Sequence, residues 1–209
     1  GLCRNHLDWT SHQMGGFGEK LLAQRDHNTM LYLNYNTGRR ISANGRSLAN
    51  TLEDLIQRHP QITSIDLIGH SMGGLVSRSA LFYGKQNMHG WIHLVENLVC
   101  LGSPHHGAVL ERFGFHLQDK LGRFPIVKIV VHLVNIRSNG ILDLRHGSVR
   151  DDDWEHNQAR IGQVDDNRKP APLPTHINTY FVAGSIEREK KQKLNRKVIG
   201  DYLVSVKSA

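Results

Sequence analysis

Apolar residues along this chain fall into short β-like runs separated by stretches of helical spacing. Leu48, Leu52, Leu55 and Ile56 share one helical face, with Ser42 as a candidate N-cap and Pro60 as the stop, so the pattern predicts a helix from Ser42 to about His59. Ile65-Asp66-Leu67-Ile68 reads as a strand, and Leu75 to Tyr83 returns to helical spacing. Further strands are predicted at Thr29–Tyr35, Asn97–Gly102 and Asn178–Ala183, with a short helix at Gly18–Gln24. Alternation of this kind argues for an α/β architecture built on a mainly parallel sheet. Between Gly107 and Thr175 the rhythm changes: apolar positions 126, 127, 130, 131, 133 and 134 predict an amphipathic helix, followed by Asp-rich and Pro-rich sequence. Two readings of this insertion stand: a cap or lid over an active site, or an ordinary core helix with a surface loop.

The junction between the central strand and its helix carries the chemistry. Residues 69–73 are Gly-His-Ser-Met-Gly, a Gly-x-Ser-x-Gly pattern placed across a strand-to-helix turn. Such a turn holds its serine in a strained backbone conformation and lifts the hydroxyl above the sheet. Gly69 and Gly73 are expected where strand and helix approach too closely for a Cβ. The amide of Met72 opens the helix, where it is suited to hold an oxyanion. Ser71 is therefore the candidate nucleophile.

Composition narrows the class. A chain of 209 residues suits one domain, and 39% hydrophobic with 22% charged content is that of a globular protein. The longest apolar candidate, Phe124 to Ile136, is broken by Lys128 and His132 and falls short of the roughly 20 residues of a membrane span. Cys3 and Cys100 make no disulfide framework. Much of the net charge of +7 lies between Arg188 and Lys197, a stretch with no aromatic side chain for base stacking. That argues for a solvated loop and against a nucleic-acid partner.

Metal and cofactor motifs are weak. Asp151-Asp152-Asp153 with Glu155 and His156 offers oxygen ligands for calcium, but EF-hand spacing is absent and an acidic turn explains it more simply. His89 and His93 have the His-x-x-x-His spacing without the zincin glutamate, and Gly90 argues against a helix there. Neither Cys-x-x-Cys pairs nor a Gly-x-Gly-x-x-Gly fingerprint occurs, so no cofactor and no metal are implied. Among other histidines, His70, His105, His106 and His176 read as turn, pocket-wall or surface residues, and Asp143 with His146 as a local hydrogen-bonded pair.

Several segments carry a family likeness: Gly1 to Trp9, Tyr35 to Arg39, Leu67 to Gly74, Leu101-Gly102-Ser103-Pro104-His105-His106-Gly107 and Gly200-Asp201-Tyr202-Leu203-Val204. On these the chain resembles bacterial lipase-like α/β-hydrolases, similar to the GPI inositol-deacylase (PGAP-type) and triacylglycerol lipase groups. The resemblance implies an α/β-hydrolase fold with a cap insertion at about 107–175, and a serine hydrolase of lipid-like carboxylic esters. It makes Ser71 the nucleophile, the backbone amides of Leu2 and Met72 the oxyanion hole, and Asp201 the triad acid. Tyr202 departs from the small residue usual beside that acid.

In the fold's chain order the catalytic histidine follows the acid, yet no histidine follows Asp201 in this sequence. The chain also starts at Gly1 rather than methionine, so the expectation is a sequence cut at both ends with its histidine beyond Ala209. The implied partner is a small-molecule or lipid ester, with contact at a membrane surface allowed. Rival readings on the same scaffold are an acyltransferase or thioesterase, or a catalytically silent binding protein.

Overall fold

The computed structural model describes residues 20, 29–107, 138–155 and 168–182. Three parallel strands lie side by side in sequence order: β1 (Ile65–His70), β2 (Val95–Leu101) and β3 (Asn178–Val182). Leu67 pairs with Leu98 and Gly69 with Cys100, while Leu98 and Cys100 pair with Thr179 and Phe181 across the other edge. Helix α1 (Ile41–Arg58) precedes β1, and α2 (Met72–Gln86) connects β1 toward β2 through a short 3₁₀ turn at Gly90–Leu94. Parallel neighbours need such crossovers, and the α-helix supplies one.

The core forms where the two helices meet the sheet. Ile41, Leu48, Ala49 and Leu52 of α1 pack with Met72, Leu75, Val76, Ala80 and Leu81 of α2, over Leu98 and Cys100 of β2 and the fully buried Trp91. The predicted leucine stripe of α1 therefore faces inward at Leu48 and Leu52, with Leu55 and Ile56 packed at its margin. Each such side chain contributes about 1.5–3 kcal/mol when fully buried. Helix α2 ends in a Schellman motif: the His89 amide donates to the Gly84 carbonyl at 2.9 Å and the Met88 amide to Lys85 at 3.1 Å. Met88 occupies the left-handed position at φ 56°, where glycine is usual, and its side chain is exposed.

The described parts of the 107–175 segment join this core rather than standing apart from it. Helix α3 (Asn139–His146) and the short α4 (Asp152–Glu155) bring Leu144 and Val149 into the main cluster, and Ala171 enters from the following stretch. Asp143, almost wholly buried, accepts hydrogen bonds from the Ile41 amide at 2.8 Å and from Arg40 Nη1 at 2.6 Å. A carboxylate 102 positions away thus caps the start of α1. Arg46 pairs with Asp151, whose amide donates to the Tyr83 hydroxyl at 2.9 Å. Three guanidinium groups stack on rings across this junction: Arg40 on Trp154, Arg46 on Tyr83 and Arg150 on Phe82.

Several expectations are corrected here. Thr29–Tyr35 is not a strand: the described sheet consists of β1, β2 and β3, and residues 29–35 join none of its ladders. Ser42 is not the N-cap; α1 begins at Ile41, with Arg40 in the cap position two residues earlier and the Asp143 carboxylate doing the capping. That carboxylate, read from the sequence only as a local partner of His146, accepts from Arg40 and from the Ile41 amide. Gly90 opens a 3₁₀ turn instead of preventing a helix, since one tight turn tolerates glycine at its start. The Gly18–Gln24 helix and the 126–134 helix fall outside the described residues apart from Lys20, which is helical.

Candidate active site

β1 ends at His70 and α2 starts at Met72, so a single residue turns the chain from strand to helix. That residue is Ser71, at φ 53° and ψ −123°. An L-residue pays on the order of 1–3 kcal/mol to sit there, and such strain persists only where its surroundings enforce it. The surroundings are visible. The Ser71 amide donates to the Leu101 carbonyl at 2.9 Å, tying the elbow to the end of β2, and its carbonyl accepts from the Gly74 amide at 3.2 Å.

Glycine spacing explains how tightly the elbow is drawn. A Cβ on Gly69 would lie 2.5–2.6 Å from the backbone of Gly73 and Gly74, distances at which one of them has to move. Gly73, expected to be equally crowded, has nothing within 4 Å of such an atom. The second close approach is instead at Gly74, where a Cβ would press on Ser103 and come within 3.1 Å of Cys100 Sγ. The crowding lies one residue further along because the helix turns its next position toward β2. Met72 is the first helical residue and is fully buried. Its amide is among the first-turn N–H groups that have no intrahelical acceptor.

Ser71 lies at the carboxyl edge of the parallel sheet, where open α/β sheets bind their ligands. The loop Gly102–Gly107 leaves the same edge from β2. Within it His105 is buried; its Nδ1 receives Arg78 Nη1 at 3.0 Å, and its ring stands edge-to-face on Phe181 with centroids 4.7 Å apart. Burial, then the positive charges of Arg78, His106 and Arg168, push the imidazole down to about 3. Such a ring is too weak a base to take the proton of a serine at neutral pH. Cys100 is inert by the same logic, since burial pushes its thiol up to about 12 despite the pull of Arg78.

The remaining candidates are placed as follows. His70 is exposed beside the elbow. His176 Nε2 bonds the Ile92 carbonyl at 3.0 Å, and its ring stacks on His93; both side chains are exposed. His89 accepts from the Trp91 indole at 3.3 Å. The acidic run is spent on internal bonds: Asp151 on Arg46, Asp152 on Arg150 and Lys169, Asp153 on the amides of Val149, Arg150 and Lys169. Among the described residues no group of three or more His, Cys, Asp or Glu side chains is arranged to hold a metal ion. No described helix is long and apolar enough to cross a membrane. Leu2 and Asp201 lie outside the described residues, so of the four predicted site positions the structure brings together Ser71 and Met72.

Sequence reasoning missed Arg78 and Arg168, and read Asp143 only as a local partner of His146. A signal for the first was present: Arg78 is the one charged residue between Ser71 and Tyr83, in a stretch otherwise apolar or small.

The profile of the PGAP1-like alpha/beta domain matches residues 5–208. The chain belongs to that family. Its architecture is the α/β-hydrolase type expected from the motifs. Among solved structures it is similar to the lipase BlEst2 of Bacillus licheniformis. The mature form is 22% identical, with a TM-score of 0.42, over 70% of this chain and 49% of that one. The propeptide form is also 22% identical, with a TM-score of 0.41, over 70% of this chain and 27% of the other. The chain thus spans about half the length of the mature lipase and about a quarter of the propeptide form. No curated protein matches it.

Proposed function

We propose that this member of the family is a serine hydrolase of carboxylic esters, lipid-like ones above all, with Ser71 as its nucleophile. The observation that carries the reading is the strained serine at φ 53° in a one-residue turn between strand and helix. Membership of the PGAP1-like alpha/beta domain family supports the same chemistry.

In this reading Ser71 Oγ attacks the ester carbonyl while a histidine takes its proton. The order of the fold sets that histidine after the acid in the chain. Asp201 orients it and stabilises its charged form. Negative charge on the tetrahedral oxygen is held by the amides of Met72 and Leu2. Collapse expels the alcohol, which receives the proton from the histidine, and leaves an acyl-Ser71 ester. Water, deprotonated by the same histidine, then releases the acid and restores Ser71. His105 takes no proton in this scheme, because it stays neutral and bound to Arg78. In this reading the cap lies within the 107–175 segment, outside the parts that pack into the core, and its apolar run Ile126–Val134 serves an acyl chain.

The test is ester hydrolysis by the full-length natural protein, with p-nitrophenyl esters of short and long acyl chains. Ser71→Ala is expected to lower kcat by about 10⁴-fold or more. An alanine variant that turns over as fast as the wild type sinks the reading.

A further inference from the structure

Arg78 lies on the helix that Ser71 opens, seven positions on, or about two turns. Its neighbours Ser77, Ser79, Ala80 and Leu81 are buried, so the guanidinium leaves from a face of α2 that is turned inward. Its side-chain bonds go to His105 Nδ1 at 3.0 Å and to the Ala171 carbonyl at 3.4 Å, not to a carboxylate. A guanidinium has donors only, so Nδ1 must be the acceptor. This fixes His105 as the neutral tautomer with its proton on Nε2, and that nitrogen is buried without a partner.

The same loop is gripped from a second side. Arg168 Nη1 donates to the His105 carbonyl at 2.5 Å and to the Gly147 carbonyl at 3.1 Å. The loop begins just after Leu101, whose carbonyl receives the Ser71 amide. A short path therefore runs from Arg78 through His105 and the Gly102–Gly107 loop to the backbone of the elbow. Stability alone is a poor reason for this arrangement, because burial disfavours the Arg78 charge more than the Asp153 carboxylate supports it, and an apolar pair would pack there at less cost.

We infer that Arg78 is a positioning residue: through His105 it fixes the Gly102–Gly107 loop against the Ser71 elbow at the carboxyl edge of the sheet. The inference rests on Ser71 being the nucleophile as far as catalysis is concerned.

The test compares Arg78→Ala, His105→Leu, their double variant and His105→Asn in the full-length protein, with thermal melts to establish folding. Arg78→Ala is expected to lower kcat by about 10- to 100-fold while KM moves less than about threefold. His105→Leu should do the same, and the double variant should be no worse than either single one, because one bond is broken in all three. His105→Asn, whose Oδ1 offers Arg78 an acceptor, should recover most of the loss, and millimolar guanidinium ion should partly restore Arg78→Ala. Should Arg78→Ala fail to fold, Arg78→Lys, with a single donor head for two acceptors, takes its place in the comparison. Unchanged kcat in the Arg78 variant, or losses that multiply in the double variant, would overturn the proposal. If the wild type hydrolyses no ester, it is the hydrolase reading that fails. Amide hydrogen exchange then decides the positioning: Arg78→Ala must speed exchange at residues 102–107 and leave the middle of β2 unchanged, and unaltered loop exchange overturns it.

Discussion

Replacing His105 by asparagine should remove a defined part of the protein's sensitivity to acid. In the folded chain the ring is buried, receives Arg78 at Nδ1 and sits near the charges of His106 and Arg168, so its pKa falls from the ordinary 6.5 to about 3. In the unfolded chain it titrates near 6.5. Between these two values the unfolded state binds a proton that the folded state refuses, so stability falls as pH falls through that window. The slope is about 1.4 kcal/mol per pH unit, which amounts to roughly 2 kcal/mol lost by about pH 5 relative to pH 7. Asparagine does not titrate, and its Oδ1 keeps an acceptor facing Arg78. Urea denaturation of wild type and His105→Asn, followed from about pH 7 down to about pH 4.5, isolates the effect, because every other titrating group cancels in the difference. The difference in unfolding free energy should shift in favour of the variant by about 1.4 kcal/mol per unit below about pH 6. Parallel curves over that range would show that His105 titrates normally and that the buried Arg78–His105 contact is not as described.

Substitutions at four positions test other parts of the frame. Met88→Gly should raise stability by about 0.5–1 kcal/mol, read as a higher midpoint in calorimetry, because it relieves a left-handed non-glycine residue in the Schellman cap. A lower midpoint would contradict it. Gly69→Ala should destabilise by about 1–3 kcal/mol or more by circular dichroism melts, since its Cβ meets only backbone, whereas Gly73→Ala should be neutral or slightly stabilising in open space. Equal effects at the two positions would refute the elbow geometry. Asp143→Ala should cost about 3–5 kcal/mol in urea titrations by stranding Arg40 and the Ile41 amide, and Asp143→Asn distinctly less; a loss within about 1 kcal/mol for alanine would show that the cap is not made.

Local signals were legible in the sequence where one element decides them. The β1–Ser71–α2 unit, the leucine face of α1, and the strands at β2 and β3 follow from periodicity and punctuation within ten or twenty residues. What escaped depends on residues far apart in the chain. The cap of α1 comes from Asp143, so Ser42 was the natural but wrong choice for a reader limited to neighbours. The close approach at Gly74 instead of Gly73 depends on where Cys100 of β2 and Ser103 of the loop after it fall. Arg78 had a local mark, a lone charge in a buried stretch, but its partners sit 27 and 93 positions away. Thr29–Tyr35 had the apolar and aromatic content of a strand, and content does not specify what a strand pairs with.

The central claim is that Ser71 attacks esters, and covalent labelling tests it most directly. The full-length protein is treated with a fluorophosphonate, digested, and mapped by mass spectrometry, beside Ser71→Ala. A single stoichiometric adduct on the peptide that holds Ser71, absent from the alanine variant, is the predicted result. A folded wild type that stays unlabelled, or that carries its adduct on another residue, would contradict the account.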